Sequence, residues 1–306
     1  MILEPHLLRS LVEVADAGTV TAAAASLGYS PSAISQHLAK LEARLGIPLL
    51  EPNGRNLALT AAGAALLEAA PRVFSALDDA SAAAHQAAGV VGGAVRLGTF
   101  QSAAVQLLPP AIASLRDLYP DIDVEVLQQP TDKSLRQLQT TSLDVVLDQD
   151  FETSPIRASS ATTVLMRDPL VLVSPRSDRA PTSLADVSNH TWICPKPETS
   201  SCAAFVLELC DRHGFRPNVK WWVEDYLLLL NLVAVGAGVG IVSRATARHV
   251  NAPVHTTPLP PDAERTIVAH TRPGRISPAA TALLDALRRE GAEQDRQLGK
   301  SVNYAA

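Results

Sequence analysis

Cysteine is scarce. Cys194, Cys202 and Cys210 are too few for a disulfide framework in 306 residues, and no two of them form the CxxC pair a structural metal would need. That scarcity points to a reducing compartment, with the cytoplasm as the expected location. Basic residues give no excess: 26 Lys and Arg stand against 31 Asp and Glu, so the overall charge of -5 announces no nucleic-acid partner. The opening MILEPHLLRS carries Glu4 and no basic region ahead of a continuous apolar stretch, so no secretory signal is expected. The strongly apolar uncharged run YLLLLNLVAVGAGVGIV over 226–242 is short for a bilayer span. It contains Asn231 and three glycines, and reads as a buried helix, a glycine turn and a buried strand.

Catalytic signatures are missing as well. There is no GxSxG, no HExxH and no GK[ST] phosphate loop, and the eight histidines do not cluster at ligand spacing. The segment GAGVGI over 236–241 has the wrong order for a nucleotide loop, because its glycines follow a helix and open a strand. The chain is therefore expected to have no catalytic residue, no metal ligand and no cofactor. A cleft-based enzyme or ligand-binding module on the second half is the alternative from another class, and it would leave the first 90 residues unexplained.

What is present is apolar: 47% of the residues, enough for two or three domains with their own cores. Residues 1–59 hold helix-period segments and end in a turn and strand-like stretch, EPNGRNLALT. Over 60–92 the text becomes Ala-rich. Leu66, Ala70, Val73, Leu77, Ala80, Ala84 and Ala87 recur at alternating spacings of four and three, the seam of a close helix pair between two copies of the chain. Packing of a single amphipathic helix on its own chain is the alternative, and Pro71 should bend the helix. GVVGG at 89–93 reads as a hinge.

From 93 to 306 strands alternate with helices, which argues for βαβ units and a parallel sheet. Strands are expected at 94–99, 122–127, 143–147, 169–174, 219–223, 239–242 and 264–270, and helices at 102–118, 132–140, 201–213, 225–235 and 278–289. The fold class is α/β overall.

The segment TVTAAAASLGYSPSAISQHLAKLEARLG over 19–46 is helix, glycine turn, helix, with Ser30 as N-cap and Pro31 at the first helical position. In the second helix Ile34, Leu38, Leu41 and Leu45 make the buried stripe. Ser32, Gln36 and Lys40 lie opposite, with Ser35 and His37 on the flanks. Ser and Gln offer donor and acceptor to base edges, Lys40 suits a phosphate, and the free amides after Ser30 suit another. A helical hairpin that merely caps a domain would show the same geometry.

This stretch, with LVEVADAG before it and IPLLEPNGRNLALTAAGAALL after it, resembles the winged helix-turn-helix of LysR-type transcriptional regulators. The order "LE..LG.PL", wing, "LT.AG..LL" is present without a gap, and GAGVGIVS further on matches that family's pattern. The resemblance implies a winged helix-turn-helix over 1–59, a linker and dimerisation helix over 60–92, and an effector-binding domain over 93–306. That domain would be similar to type II periplasmic binding proteins, with subdomain I over about 93–162 plus 264–295 and subdomain II over about 163–263. Expected partners are double-stranded operator DNA, a small-molecule effector, further copies of the chain as dimer or tetramer, and RNA polymerase, with no membrane. The implied DNA contacts are Thr21, Ser30, Pro31, Ser32, Ser35, Gln36, His37, Lys40, Asn53 and Arg55. Family members commonly carry basic residues where this chain has Ala22 and Pro52, and residues 1–60 sum to -1. Binding per domain is accordingly expected to be weak, with affinity drawn from several domains on one operator.

By the same resemblance the effector lies between the subdomains, at strand ends and helix starts: Thr99, Gln101, Ser102, Gln129, Thr131, Thr199, Ser200, Ser201 and Glu224. Ser and Thr at helix starts suit a carboxylate, and Glu224 with Asp225 suits an amine. Peroxide-sensing relatives place a reactive cysteine pair in this region, so thiol redox sensing is the rival signal. Against it, Cys202 and Cys210 would stand two turns apart on one helix, and Cys210 would share an apolar stripe with Val206 and Leu207.

Overall fold

The structure, a computed structural model, describes residues 3–53, 56–88, 91–139, 142–151, 161–196, 201–250, 252–260, 263–274 and 276–301. Three helices come first: α1 (Pro5–Ala17), α2 (Val20–Leu27) and α3 (Pro31–Leu45). A hairpin of β1 (Leu50–Asn53) and β2 (Asn56–Leu59) follows. Pro5 and Pro31 occupy the first helical turn, where a missing N–H loses no bond, and the Ser30 hydroxyl accepts from the Ala33 amide. Ile34, Leu38 and Leu41 are buried against Leu7, Leu11, Ala23 and Ala24, which fixes the opposite face of α3 outward. Glu42 fastens the hairpin to α3: its Oε1 accepts from the Leu49 and Leu50 amides at 2.7 and 3.1 Å.

The helix α4 (Ala61–Ala88) runs through Pro71. Its heptad stripe is not one intermolecular seam. Leu66, Ala70 and Val73 pack with Phe74 on Leu8 and Val12 of α1 in the same chain, and the Arg9 guanidinium lies 5.6 Å from the Phe74 ring centre. The reason is that α1 is apolar on a second side, which needs a cover, and α4 is the nearest element. Leu77, Ala80 and Ala84 stay exposed, and the Ala87 side chain lies outside the described residues.

The rest of the chain is α/β. In order it forms β3 (Gly93–Thr99), α5 (Gln101–Leu118), β4 (Ile122–Gln128), α6 (Thr131–Gln139), β5 (Val145–Asp150), β6 (Ala161–Pro175) and β7 (Thr191–Pro195). Then come α7 (Ser201–Arg212), β8 (Asn218–Val223), α8 (Tyr226–Ala234), β9 (Gly240–Ser243), α9 (Arg244–Val250), β10 (Val254–Pro258), β11 (Glu264–Thr271) and α10 (Pro278–Ser301). One sheet has the order β10-β6-β11-β5-β3-β4, with β9 also on β6, and β7 pairs with β8. The parallel pairing expected from the βαβ units is present, within a mixed sheet. The pairs β3–β4, β3–β5 and β7–β8 are parallel, whereas β11 runs antiparallel to β5 and β6, and β6 runs antiparallel to β9 and β10. The chain crosses into a second half on β6 and returns on β11, and a returning strand laid beside its outgoing one must oppose it.

The crossing also moves the expected subdomain border. Residues 161–169 of β6 pair with β11, and Leu165 and Met166 join the core of Val95, Leu97, Leu107, Val145, Ile267 and Leu283. Only from Leu170 does β6 pair with β9 and β10, so the crossing falls near Pro169 rather than at 162/163. Beyond it, alternate residues face two cores. Leu170 and Leu172 meet Trp192, Phe205, Leu209 and the three cysteines, while Val171 and Val173 meet Ile193, Leu229, Leu230 and Val233.

Two glycines permit close backbone approach. A Cβ on Gly238 would stand 2.5 Å from the Thr191 carbonyl oxygen, so the GAGVGI glycines let β9 lie against β7. A Cβ on Gly291 would stand 2.2 Å from the Leu165 carbonyl oxygen, so glycine there lets α10 pass close over β6, and the helix continues well beyond the expected 289.

Candidate DNA-reading face and effector cleft

On α3 the outward residues are small and polar. Pro31, Ser32, Ser35, Gln36 and Lys40 are exposed, as is Thr21 on α2. Ser30 is occupied as a cap and its hydroxyl lies 3.0 Å from that of Ser32, and Ser35 donates to the Pro31 carbonyl at 3.0 Å. Two expected contacts are engaged by α1 and its N-cap residue Glu4. His37 Nδ1 lies 2.9 Å from Ser10 Oγ, with its ring edge-on to His6 and Tyr29. Lys40 donates to Glu4 Oε2 at 3.1 Å, and Arg44 pairs with the same carboxylate. The Lys40 hydrogen bond, with Arg44 and His6 adding their charge, holds the Glu4 carboxyl below its ordinary range. The basic end of α3 is thereby half neutralised within the chain. Asn53 closes β1, with its side chain outside the described residues, and Arg55 lies outside them altogether.

The second group gathers where β3, β5, β6 and β11 meet α5, α7 and α8. Gln101 and Ser102 open α5, Thr99 ends β3 and is buried, and Ser102 Oγ is buried without a hydrogen-bond partner among the described residues. Several hydrogen bonds among the described residues reach from the first half to the second. The Tyr226 amide donates to Gln101 Oε1 at 3.3 Å, and Gln149 Nε2 donates to Ser201 Oγ at 3.1 Å. Gln129 follows β4 and donates to Ser134 and Gln137, and Thr131 begins α6. Thr199 and Ser200 lie outside the described residues.

Glu224 and Asp225, the carboxylates expected to suit an amine, both have donors within the chain. Glu224 is exposed and paired with Lys196 at 3.2 Å, and Asp225 caps α8 by accepting from the Leu227 and Leu228 amides. Each carboxylate already serves a donor of its own chain.

Sequence reasoning missed the charged floor of this region. Arg265 donates to Asp168 Oδ2 through Nε at 2.9 Å and Nη2 at 2.6 Å, and to Gln149 Oε1 through Nη1 at 2.6 Å. Arg265 is 2% exposed and Asp168 fully buried, and the Phe100 ring centre lies 5.4 Å from the guanidinium carbon. Gln106 of α5 donates to Ser243 Oγ at 2.9 Å, joining α5 to the end of β9. A charge inside an apolar strand, as in ERTIVAHT or RDPLVLVS, was the available signal, but the two strands are remote in sequence.

Family comparison agrees with both halves. The model for the bacterial regulatory helix-turn-helix protein, lysR family, matches residues 5–64, and the LysR substrate binding domain matches residues 88–292. The chain belongs to the LysR family. Similar proteins include "Probable HTH-type transcriptional regulator LrrA" of Synechococcus elongatus, 26% identical over 295 residues, covering 94% of this chain and 97% of that one. "Probable hydrogen peroxide-inducible genes activator" of Mycobacterium xenopi is 36% identical over 140 residues, 46% of this chain and 74% of the relative. Among solved structures, full-length CbnR in complex with its target DNA is 25% identical, covering 94% of this chain and all of that one, with a TM-score of 0.56. As a LysR-type regulator, the protein is a DNA-binding transcriptional regulator with an effector-binding domain.

The cysteines of this LysR member do not have the surroundings of a peroxide-reactive pair. All three are buried in one core, and burial pushes the Cys194 and Cys210 thiols up to about 12 and that of Cys202 upward as well. A thiol of that kind is thiolate only to about one part in ten thousand at pH 8. In the native protein at pH 8, none of the three is expected to react with a disulfide reagent within minutes, and all three should react in denaturant. Peroxide treatment should leave that count unchanged. Since folding raises both the Cys194 and Cys210 thiols from 9.0, their contribution to stability is intact below pH 9 and is lost as pH rises toward about 12.

Proposed function

We propose that this regulator reads its operator with the N-terminal half of α3 and responds to a small metabolite held between the two α/β subdomains. Base edges are met by Ser32, Ser35 and Gln36, and phosphates by the first-turn amides after Ser30, by Thr21 and by the hairpin tip at 53–56, Asn53 and Arg55 included. His37 and Lys40 contribute only by leaving Ser10 and Glu4. The effector takes Thr99, Gln101, Ser102, Gln129, Thr131 and the 199–201 segment, in the division 1–59, 60–92 and 93–306, with subdomains that exchange near Pro169. The exposed part of the α4 stripe from Leu77 onward serves as the dimer seam, and the working species is a dimer or tetramer that acts on RNA polymerase in the cytoplasm without enzymatic activity. Closure around the effector shifts the relation between subdomains, and the oligomer converts that into operator spacing.

The observation that carries the reading is α3, whose exposed face holds short hydrogen-bonding side chains while its apolar stripe is fully engaged. The test is a gel shift of the full-length protein on the intergenic DNA upstream of its own gene. Retarded complexes are expected at low salt, with a shallower salt dependence than a strongly basic relative shows, because the reading domain contributes few cations. Absence of any complex at low salt with folded oligomer would sink the proposal.

A further inference from the structure

The helix α6 touches both the cleft edge and the DNA-binding half. Its inner face carries the buried Ser134, Gln137 and Leu138, and its outer face carries the exposed Arg136. On the inner side, Gln129 Nε2 donates to Ser134 Oγ at 3.1 Å and to Gln137 Oε1 at 2.5 Å, and the Gln129 amide donates to the Thr99 carbonyl at 3.1 Å. On the outer side, Arg136 Nε donates to Asp16 Oδ1 at 3.3 Å. Asp16 lies in the last turn of α1, just before Gly18 and the Thr19 cap of α2, and α1 shares a packed core with α2 and α3. Neighbouring residues of one short helix therefore hold the edge of the cleft and the body that carries the reading helix.

We propose that Arg136 is a positioning residue for operator binding. It sets the orientation of the winged helix-turn-helix against α6, and the Gln129 contacts with Ser134 and Gln137 pass cleft occupancy to that joint. A ligand that takes the Gln129 amide as its donor removes it from Gln137, α6 resettles on β3 and β5, and Arg136 carries the movement to α1. The joint is weak by construction: the Arg136 side chain is 59% exposed and that of Asp16 17% exposed, so a pair of this kind holds an equilibrium only a few-fold to one side. A ligand with modest differential affinity can then reverse it. The proposal rests on Gln129 being a cleft residue.

Its test needs no identified effector. Operator binding is measured by anisotropy at low salt for full-length wild type, Arg136→Ala, Arg136→Lys, Gln129→Ala and the double Arg136→Ala with Gln129→Ala, with thermal midpoints recorded alongside. Arg136→Ala should change operator affinity about two- to fivefold without moving the thermal midpoint, and Arg136→Lys should restore it. Gln129→Ala should change it by a similar factor, and the double should show no more than Arg136→Ala alone, because both act through one joint. Effects that multiply in the double, a silent Arg136→Ala, or a silent Gln129→Ala beside an effective Arg136→Ala would overturn the proposal. The wild-type titration in the same series tests the operator reading by itself, so the two ideas fail separately.

Discussion

Arg265→Met is expected to cost the regulatory half about 3–5 kcal/mol of stability, since it leaves a fully buried carboxylate without its cation. Both guanidinium hydrogen bonds to Asp168 fall on Oδ2, and the third goes to Gln149, which in turn reaches Ser201 across the cleft. Removing Arg265 therefore also frees one of the bonds that orders the cleft wall. The double replacement Arg265→Met with Asp168→Leu should recover most of the loss, because what is costly is one buried charge alone rather than the absence of a pair. Urea unfolding followed by far-UV dichroism checks this through the midpoints at unchanged slope. A double as unstable as the single would mean that packing, rather than charge burial, sets the cost.

Gln36→Ala is expected to weaken operator binding by about 1–3 kcal/mol, roughly 5- to 150-fold, while unfolding stability changes by less than about 0.5 kcal/mol. Gln36 is exposed in the middle of α3, next to Ser32 and Ser35, where an amide can meet a base edge with donor and acceptor together. The dependence of binding on salt should not change, since no phosphate contact is lost. Lys40→Ala supplies the contrast. With its ammonium already on Glu4, it should reduce both the affinity and the salt slope only slightly. A Gln36→Ala variant that binds like wild type would move the reading surface elsewhere.

Most of α3 was legible from residues 30–46: the cap, Pro31, the buried stripe and the outward polar face all appear where local pattern put them. The strand–helix alternation after 93 was legible too, but not completely. The buried strand β7 and the edge strand β10 were overlooked because TWICP and VHTTP are five-residue runs with proline and hydroxyl groups, which look like loops until a neighbouring strand satisfies their amides. The helix α9 was missed because it follows β9 with no intervening turn signal. In the candidate sites the cap Ser30 was found and Ser102 was placed at the start of α5, where Phe100 rather than Ser102 is the N-cap, whereas Arg265, Asp168, Gln106 and Gln149 were not found.

By itself the sequence determined where most of the helices begin, which face of them is apolar, and the absence of a cysteine framework. Those features follow from the 3.6-residue period and from caps that act within four residues. Tertiary structure alone decided which charges share a site. Arg265 and Asp168 are 97 residues apart, Lys40 and Glu4 are 36 apart, and Arg136 and Asp16 are 120 apart. It also decided that half of the α4 stripe is consumed by α1 rather than offered to another copy. Such pairings depend on strand register at the β6–β11 crossing and on which apolar faces compete for cover, and no local pattern encodes either.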